Sequence, residues 1–274
     1  MLCINRRNEK SFRGSPAKTK EVNLEYWKYC RNLGDSVLPK MVYEWMLQRK
    51  ECDKNVRMDK TIHLLTIGSI IGLGDFDAVI WGAGINKFEI VHKIEKNRKH
   101  VKYDIRIVRG PITREILISS GYNCPPIYGD PGVLLPLIYP KENADKKYKF
   151  CVLYHHATNK REIVCGENSV CIDMQTKDYK KVVNAIVESD VVISSSLHGI
   201  ILAEAYGVPT VFLNKGMDNQ LMKFYDWYYS TGRMTVNVAV SLEEAMKMKP
   251  MQVPDLSKMQ QDLLNTFPYD LWGK

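Results

Sequence analysis

The sequence predicts an α/β protein made of two parallel-sheet units that face a cleft. Three observations lead there. Short apolar runs alternate with helical patterns, the alternation restarts after the polar octet Pro140–Lys147, and the residues able to do chemistry stand directly after apolar runs. Strands separated by helices form parallel sheets, and open sheets of this kind hold ligands at the carboxyl ends of their strands. The expected boundaries are an N-terminal unit over 1–143, a C-terminal unit over 144–250, and a final helical segment over 251–274 able to pack back on the first unit.

Val22–Trp27 reads as a strand, followed by the loop Asn32-Leu33-Gly34-Asp35. Leu38, Met41, Val42, Trp45 and Met46 then fall at the spacing of a buried helical stripe. Strands are expected at Ile62–Ile67, Ala78–Trp81 and Ile105–Val108, and a helix from near Thr113 to Gly121. Tyr128–Gly132 reads as a turn in which Asp130 bonds its own backbone, with an apolar stretch running on to Tyr139. After the octet come strands at Phe150–Tyr154, Val170–Asp173, Asp190–Ser194 and Pro209–Leu213. Helices are expected at Tyr179–Glu188 and Gly199–Tyr206, the latter stopped by Gly207. Ser241 and Glu244 have capping-box spacing, and Leu256, Met259, Leu263 and Leu264 mark a last amphipathic helix.

Composition narrows the function classes. The 274 residues are 45% hydrophobic and 26% charged, which excludes disorder and low complexity. No apolar run approaches the roughly 20 residues of a membrane-spanning helix. The basic stretch Arg6, Arg7, Lys10, Arg13 is followed by no apolar core of a signal peptide, so a soluble, cytoplasmic protein is expected. Seven scattered cysteines, none in a C-x-x-C pair and the nearest two six apart, indicate neither zinc nor disulfides; reduced thiols are the expectation. The net charge of +8 favours anionic partners. No nucleic-acid-binding signature accompanies that charge, so nucleic acid is not expected among them.

The strongest local signal is Ser194-Ser195-Ser196-Leu197-His198-Gly199, where an apolar strand ends and a helix begins. Gly199 lets backbone approach a ligand, the helix N-terminus offers N–H groups to an anion, and His198 can donate to a phosphate or move a proton near neutral pH. The alternative is that the serines cap the helix and His198 fills a buried polar contact; the strand-end position and the glycine favour function. Arg109 closes another strand in Val108-Arg109-Gly110-Pro111-Ile112-Thr113-Arg114, and its planar fork suits a carboxylate or phosphate. Arg114 is open between a ligand role and a surface ion pair. Asn32–Asp35 either brings N–H groups and Asp35 to the cleft or merely caps a helix through Asp35. Gly82 and Gly84 permit close approach to a ligand, yet Lys87 stands where a dinucleotide fingerprint needs its third glycine. Gly68–Asp75 lacks the Gly-Lys-Ser/Thr of a P-loop. His155 and His156 point to opposite strand faces, so they and Cys151 read as structural, and no metal is called for.

In order and spacing, these segments resemble the polysaccharide pyruvyltransferase family. The matching pieces are Asn32–Asp35, Ala78–Gly84, Val108–Thr113, Tyr128–Pro136 (YGDPGVLLP), Ser194–Pro209 (SSSLHGIILAEAYGVP) and Lys223–Tyr228, which looks like the family's K-F-x-D-[YW] stretch. The resemblance covers about Asn32 to Arg233. It implies two Rossmann-like domains in a GT-B-like arrangement, phosphoenolpyruvate as donor and co-substrate with no further cofactor, and a pyruvate ketal formed on a sugar of a surface polysaccharide. It implies His198 and Arg109 as catalytic residues. Asn32, Gly34, Asp35, Gly82, Gly84, Thr113, Ser195, Ser196, Gly199, Lys215 and Lys223 are then expected to bind substrate. Two departures stand out: Ser196 occupies a position where many members carry arginine, and Gly110 replaces the aspartate of the R-D form. Anchoring then falls to Arg109, backbone N–H groups, Lys215 and Lys223. Asp35, Asp130 and Glu204 are the candidates for activating the sugar hydroxyl. A lipid-linked acceptor would bring the protein to the inner membrane face. Two other readings remain open, a nucleotide-sugar glycosyltransferase using Glu204 on ribose, and a non-catalytic scaffold. Replacing His198 or Arg109 with alanine is expected to abolish transfer and spare the fold.

Overall fold

The computed structural model describes residues 20–27, 32–141, 144–155, 158, 164–215 and 220–274. The basic N-terminal stretch, residues 142–143 of the expected linker, and His156 lie outside the described residues. Among the described residues there are two sheets, and every strand pairing in both is parallel. The first sets β1 (Val22–Glu25), β2 (Ile62–Leu65), β3 (Ala78–Trp81) and β4 (Tyr103–Ile107) side by side in chain order. The second comprises β5 (Tyr148–Tyr154), β6 (Ser169–Asp173), β7 (Ser189–Ser194), β8 (Thr210–Leu213) and β9 (Val238–Ala239), in the spatial order β6-β5-β7-β8-β9. All four residues of β3 and of β8 are buried, the reason both read as unbroken apolar runs instead of alternating ones.

The second order carries functional meaning. The chain moves outward one way from β5 to β6, then crosses back past β5 to β7 and continues the other way through β8 and β9, so the β5/β7 boundary is a topological switch point. There the connections leave the sheet toward opposite faces, and the crevice between them is where open α/β sheets bind ligands. Leading from β7 is α6 (Leu197–Ala205), the sixth of nine helices named here among the described residues. The others are α1 (Leu38–Arg49), α2 (Val91–Asn97), α3 (Pro111–Ser119), α4 (Leu135–Ile138), α5 (Tyr179–Val187), α7 (Leu221–Ser230), α8 (Leu242–Lys247) and α9 (Ser257–Thr266).

Local chemistry accounts for most of the boundaries. Leu38, Val42 and Met46 of the predicted stripe are buried in α1. Gly121, just past α3, takes φ +86°, which an L side chain resists, and Gly207 after α6 takes +74°. Ser241 Oγ accepts from Glu244 N while Glu244 Oε2 accepts from Val240 N, a capping box displaced by one residue.

The helix α6 is apolar except for His198 and Glu204 and is buried from Leu197 to Glu204, so it must lie inside the molecule. It packs between the halves: Leu197, Ile200, Ile201 and Leu202 share a buried cluster with Leu33, Leu38, Trp81 and Val133 of the first half and Cys151, Val182 and Ile186 of the second. The last helix, α9, lies against the first half, with Trp81 Nε1 donating to Leu263 O (3.1 Å) and Gln260 Nε2 to Val133 O (2.8 Å).

The cysteine expectation is corrected. Cys165 and Cys171 form a disulfide with Cα atoms 6.0 Å apart, whereas Cys52, Cys124 and Cys151 are free. Between the bonded pair the chain turns at Glu167-Asn168, where Asn168 adopts φ +58°, and doubles back into β6. Spacing alone does not reveal such a reversal.

Candidate active site

The site begins with the loop after β1. Asn32 is its organiser: its Oδ1 accepts from Gly34 N (2.9 Å), its Nδ2 donates to Asp35 Oδ2 (2.9 Å), and its backbone exchanges hydrogen bonds with Ser36 Oγ. The cap of the wide turn Leu33–Val37 is therefore Asn32, and Asp35 is not the N-cap but a carboxylate held in place by that cap. Gly34 is required for a packing reason. A Cβ there would run into His198 Nδ1 and Cγ, so the imidazole lies against the Gly34 backbone. Gly34→Ala is expected to cost about 1–3 kcal/mol through overpacking, read by chemical denaturation; unchanged stability would mean that the ring is not seated there.

His198 stands in the first turn of α6, at the switch point, and is buried. Its two ring nitrogens face two carboxylates: Nδ1 is 3.6 Å from Asp35 Oδ1, and Nε2 is 3.6 Å from Asp130 Oδ2. Those distances are ion pairs, too long for hydrogen bonds. Asp130 is fully buried in the turn before Pro131. Its Oδ1 accepts from Gly132 N, as the sequence anticipates, while its Oδ2 and His198 Nε2 are buried without a hydrogen-bond partner. Burial would push the His198 pKa down; Asp130 and then Asp35 outweigh it and raise it above the ordinary histidine value, with Lys223 opposing them. Lys223 is itself buried, on α7, and donates to Gln220 Oε1 (2.6 Å). Burial and the nearby charge of Arg109 lower its pKa to about 8 against the pull of Asp35. Asp35, Asp130, His198 and Lys223 thus form one electrostatic unit.

Arg109 belongs to an adjoining, wholly internal network. Its guanidinium lies on Gly84 and donates from Nε to Asp226 Oδ2 (3.0 Å), from Nη1 to Ser69 Oγ (2.6 Å) and from Nη2 to Ile85 O (2.7 Å). Asp226 also accepts from Thr113 N (2.9 Å) and Thr113 Oγ1 (2.7 Å). It therefore caps α3, whose own N-cap, Gly110, has no side chain to do so. The departure at Gly110 has a steric cause, because a Cβ there would collide with the Asp226 carbonyl oxygen. Arg109 and Thr113 consequently bind protein groups, and what approaches Gly82 and Gly84 is Pro131 and Arg109 themselves. Arg114 lies half-exposed, bonded to Cys124 O and Glu115.

The serines divide in role. Ser194 Oγ accepts from Ser196 N and sits where a side chain on Gly199 would be. Ser195 Oγ accepts from His155 N (3.0 Å) and pairs with Thr158 Oγ1 (2.9 Å), tying the ends of β5 and β7 together, and Thr158 Oγ1 reaches Lys215 O. Ser196 is the N-cap of α6 and makes no side-chain capping bond. Glu204 is committed elsewhere: Arg233 binds it bidentately (2.6 and 2.8 Å), and Trp227 Nε1 (2.8 Å) and Thr210 Oγ1 (2.9 Å) fill its remaining sites. That leaves it no role as a base or ribose partner. Glu204→Gln is expected to cost about 2 kcal/mol of stability while leaving ligand affinity unchanged; calorimetry with the anionic donor showing weakened binding would contradict this.

Sequence reasoning missed Asp226 and Ser69 as partners of Arg109. Asp226 stood in view as the aspartate of K-F-x-D-[YW], but its partners lie 113 and 117 positions away.

Comparisons with known proteins cover part of the site: the family match takes in Arg109, Asp130 and His198, while Asn32–Asp35, Lys223 and Asp226 lie outside it. The polysaccharide pyruvyl transferase family matches residues 63–215, more than half of the chain. A protein of Acanthamoeba polyphaga mimivirus is 27% identical over 218 residues, covering 76% of this chain and 74% of its own. The succinoglycan biosynthesis protein ExoV of Rhizobium meliloti is 26% identical over 136 residues, 48% of this chain and 42% of that protein. Among solved structures, an uncharacterised protein of Klebsiella pneumoniae superposes with a TM-score of 0.52 at 17% identity, covering 88% of this chain and all of that one. That likeness speaks for the fold alone.

Proposed function

The chain belongs to the polysaccharide pyruvyl transferase family, and we propose that it transfers a pyruvyl group from phosphoenolpyruvate to two hydroxyls of a sugar, forming a cyclic ketal in surface polysaccharide biosynthesis. The observation that carries this reading is His198. It is a histidine at a helix N-terminus, at the switch point of a parallel sheet, held toward its protonated form by two carboxylates and accompanied by a buried lysine.

The reaction needs a proton at the methylene carbon of phosphoenolpyruvate, which leaves positive charge at the central carbon. One sugar hydroxyl attacks that carbon, the bond to phosphate oxygen breaks, and a second hydroxyl closes the ring. Of the two hydroxyl protons released, one replaces the proton given to carbon and the other leaves with phosphate. His198 and its carboxylates are suited to the proton traffic. The amine of Lys223 and the N–H groups opening α6 are suited to the donor's anionic groups. Arg109 contributes through its field, which Lys223 senses, and through Asp226, which holds α7 against α3. The finer architecture belongs to the same reading: two Rossmann-like units over 1–143 and 144–250 in a GT-B-like pairing. The shared α6 core and the switch point support it.

The partners proposed are phosphoenolpyruvate and a sugar acceptor, in a cytoplasmic setting. A lipid-linked acceptor would bring the basic protein to the inner membrane face; among the described residues no helix is long and apolar enough to cross a membrane. The test is phosphate release from phosphoenolpyruvate against a panel of galactosides, glucosides and mannosides, with products read by mass. Calorimetry runs alongside, comparing phosphoenolpyruvate with nucleoside diphosphates. Tight binding of a nucleoside diphosphate with none of phosphoenolpyruvate would overturn the reading.

A further inference from the structure

We propose that Asp35, not His198, is the group that meets the substrate: it forms the outer end of a proton relay in which His198 stands second and Asp130 anchors the imidazole from within. This deepens the pyruvyl-transfer reading and rests on it.

The argument is one of access. Both ring nitrogens of His198 already face carboxylates, so any proton leaving the imidazole passes to one of them. On the inner side, Asp130 has no exposed side-chain surface. On the outer side the Asp35 side chain is 27% exposed, against 6% for His198. Asp35 is also oriented for the task. Asn32 Nδ2 holds Oδ2, which leaves Oδ1 as the oxygen turned toward His198 Nδ1. Beside Oδ1 lies Gly68, at φ +112°, whose missing side chain would stand 3.3 Å from that oxygen. The carboxylate therefore sits on a rigid turn with one oxygen fixed and the other free to exchange a proton.

The proton balance closes on this pair. His198 Nδ1, 3.6 Å from Asp35 Oδ1, closes to hydrogen-bond length and passes its proton to that oxygen, and Asp35 delivers it to the methylene carbon of phosphoenolpyruvate. As the sugar oxygen bonds to the central carbon, its proton returns to Asp35 and the pair is restored. The second hydroxyl proton departs with phosphate. Asp130 takes no proton; it keeps the imidazolium charged and aligned, which makes it a positioning residue. The charged groups facing the pair are Asp130, from the turn before Pro131, and Lys223, from α7.

Asp35→Asn preserves shape and the contact with Asn32 but cannot carry the proton. Phosphoenolpyruvate affinity, measured by calorimetry, is expected to stay within threefold of wild type while kcat falls about 10³-fold, in the range general acid–base groups supply. Asp35→Glu restores a carboxylate and should recover part of the rate lost in Asp35→Asn, with donor affinity again near wild type. If Asp35→Asn keeps its rate within tenfold, or loses donor affinity as steeply as rate, Asp35 is not the proton carrier. Failure of the wild-type protein to bind phosphoenolpyruvate would instead bring down the functional reading itself.

Discussion

Arg109→Ala is expected to lower stability by about 3–5 kcal/mol, because it strands the Asp226 carboxylate in a site with 1% exposure. For a chain of this size, that is a fall in melting temperature on the order of 10 °C. The sequence-level expectation was a folded, inactive variant; the geometry argues otherwise. The guanidinium bonds Asp226, Ser69 and Ile85 at once, so its removal releases the loop around Ser69, the start of α3 and the middle of α7 together. Activity should disappear as well, since Lys223 lies on α7. A double-mutant cycle with Asp226→Ala separates the pair from its surroundings: the two losses should be strongly non-additive. An Arg109→Ala protein with a wild-type melt, or fully additive losses, would show that the network does not hold the site together.

The second large effect concerns His198→Ala. Pyruvyl transfer is expected to fall by roughly 10²–10⁴-fold, the span a general acid–base group commonly provides. Its stability cost carries a pH signature. The folded-state pKa of His198 is raised above 6.5, so the imidazolium's pairing with Asp130 and Asp35 contributes fully below the unfolded value. That contribution disappears as pH climbs through the raised one. The stability gap between wild type and variant should therefore be widest on the acid side of neutrality and narrow toward alkaline pH. Urea unfolding at a series of pH values measures it; a gap that widens with pH would mean that His198 is held neutral.

How much of this was legible can be judged element by element. The strand Ala78–Trp81 matches its sequence reading residue for residue, and the other strands predicted from apolar runs shift by one or two residues at their ends. Helices with an apolar stripe, such as α1 and α5, were equally plain. Others were not, three among them. The strand β9 is two residues long, α2 has only Ile94 and Asn97 buried, and the α7 segment was noticed as a motif but not as a helix. The first two are too short or too exposed to show a period, whereas α7 has a buried apolar face in Met222, Phe224, Trp227 and Tyr228.

In the site, the chemical cast was visible: Asn32, Gly34, Asp35, Asp130, His198 and Lys223 were all singled out beforehand. Their casting was not. Asn32 proved the cap in place of Asp35, Gly34 proved the seat of an imidazole, and Arg109 proved to bind protein groups. Local pattern alone determines which residues end a strand, open a helix or turn the chain, because those choices depend on neighbours a few positions away. Which charge faces which is settled only when parallel sheets bring residues more than a hundred positions apart into contact. Burial there turns a lysine, an arginine and three aspartates from solvated surface groups into partners whose charges must be matched.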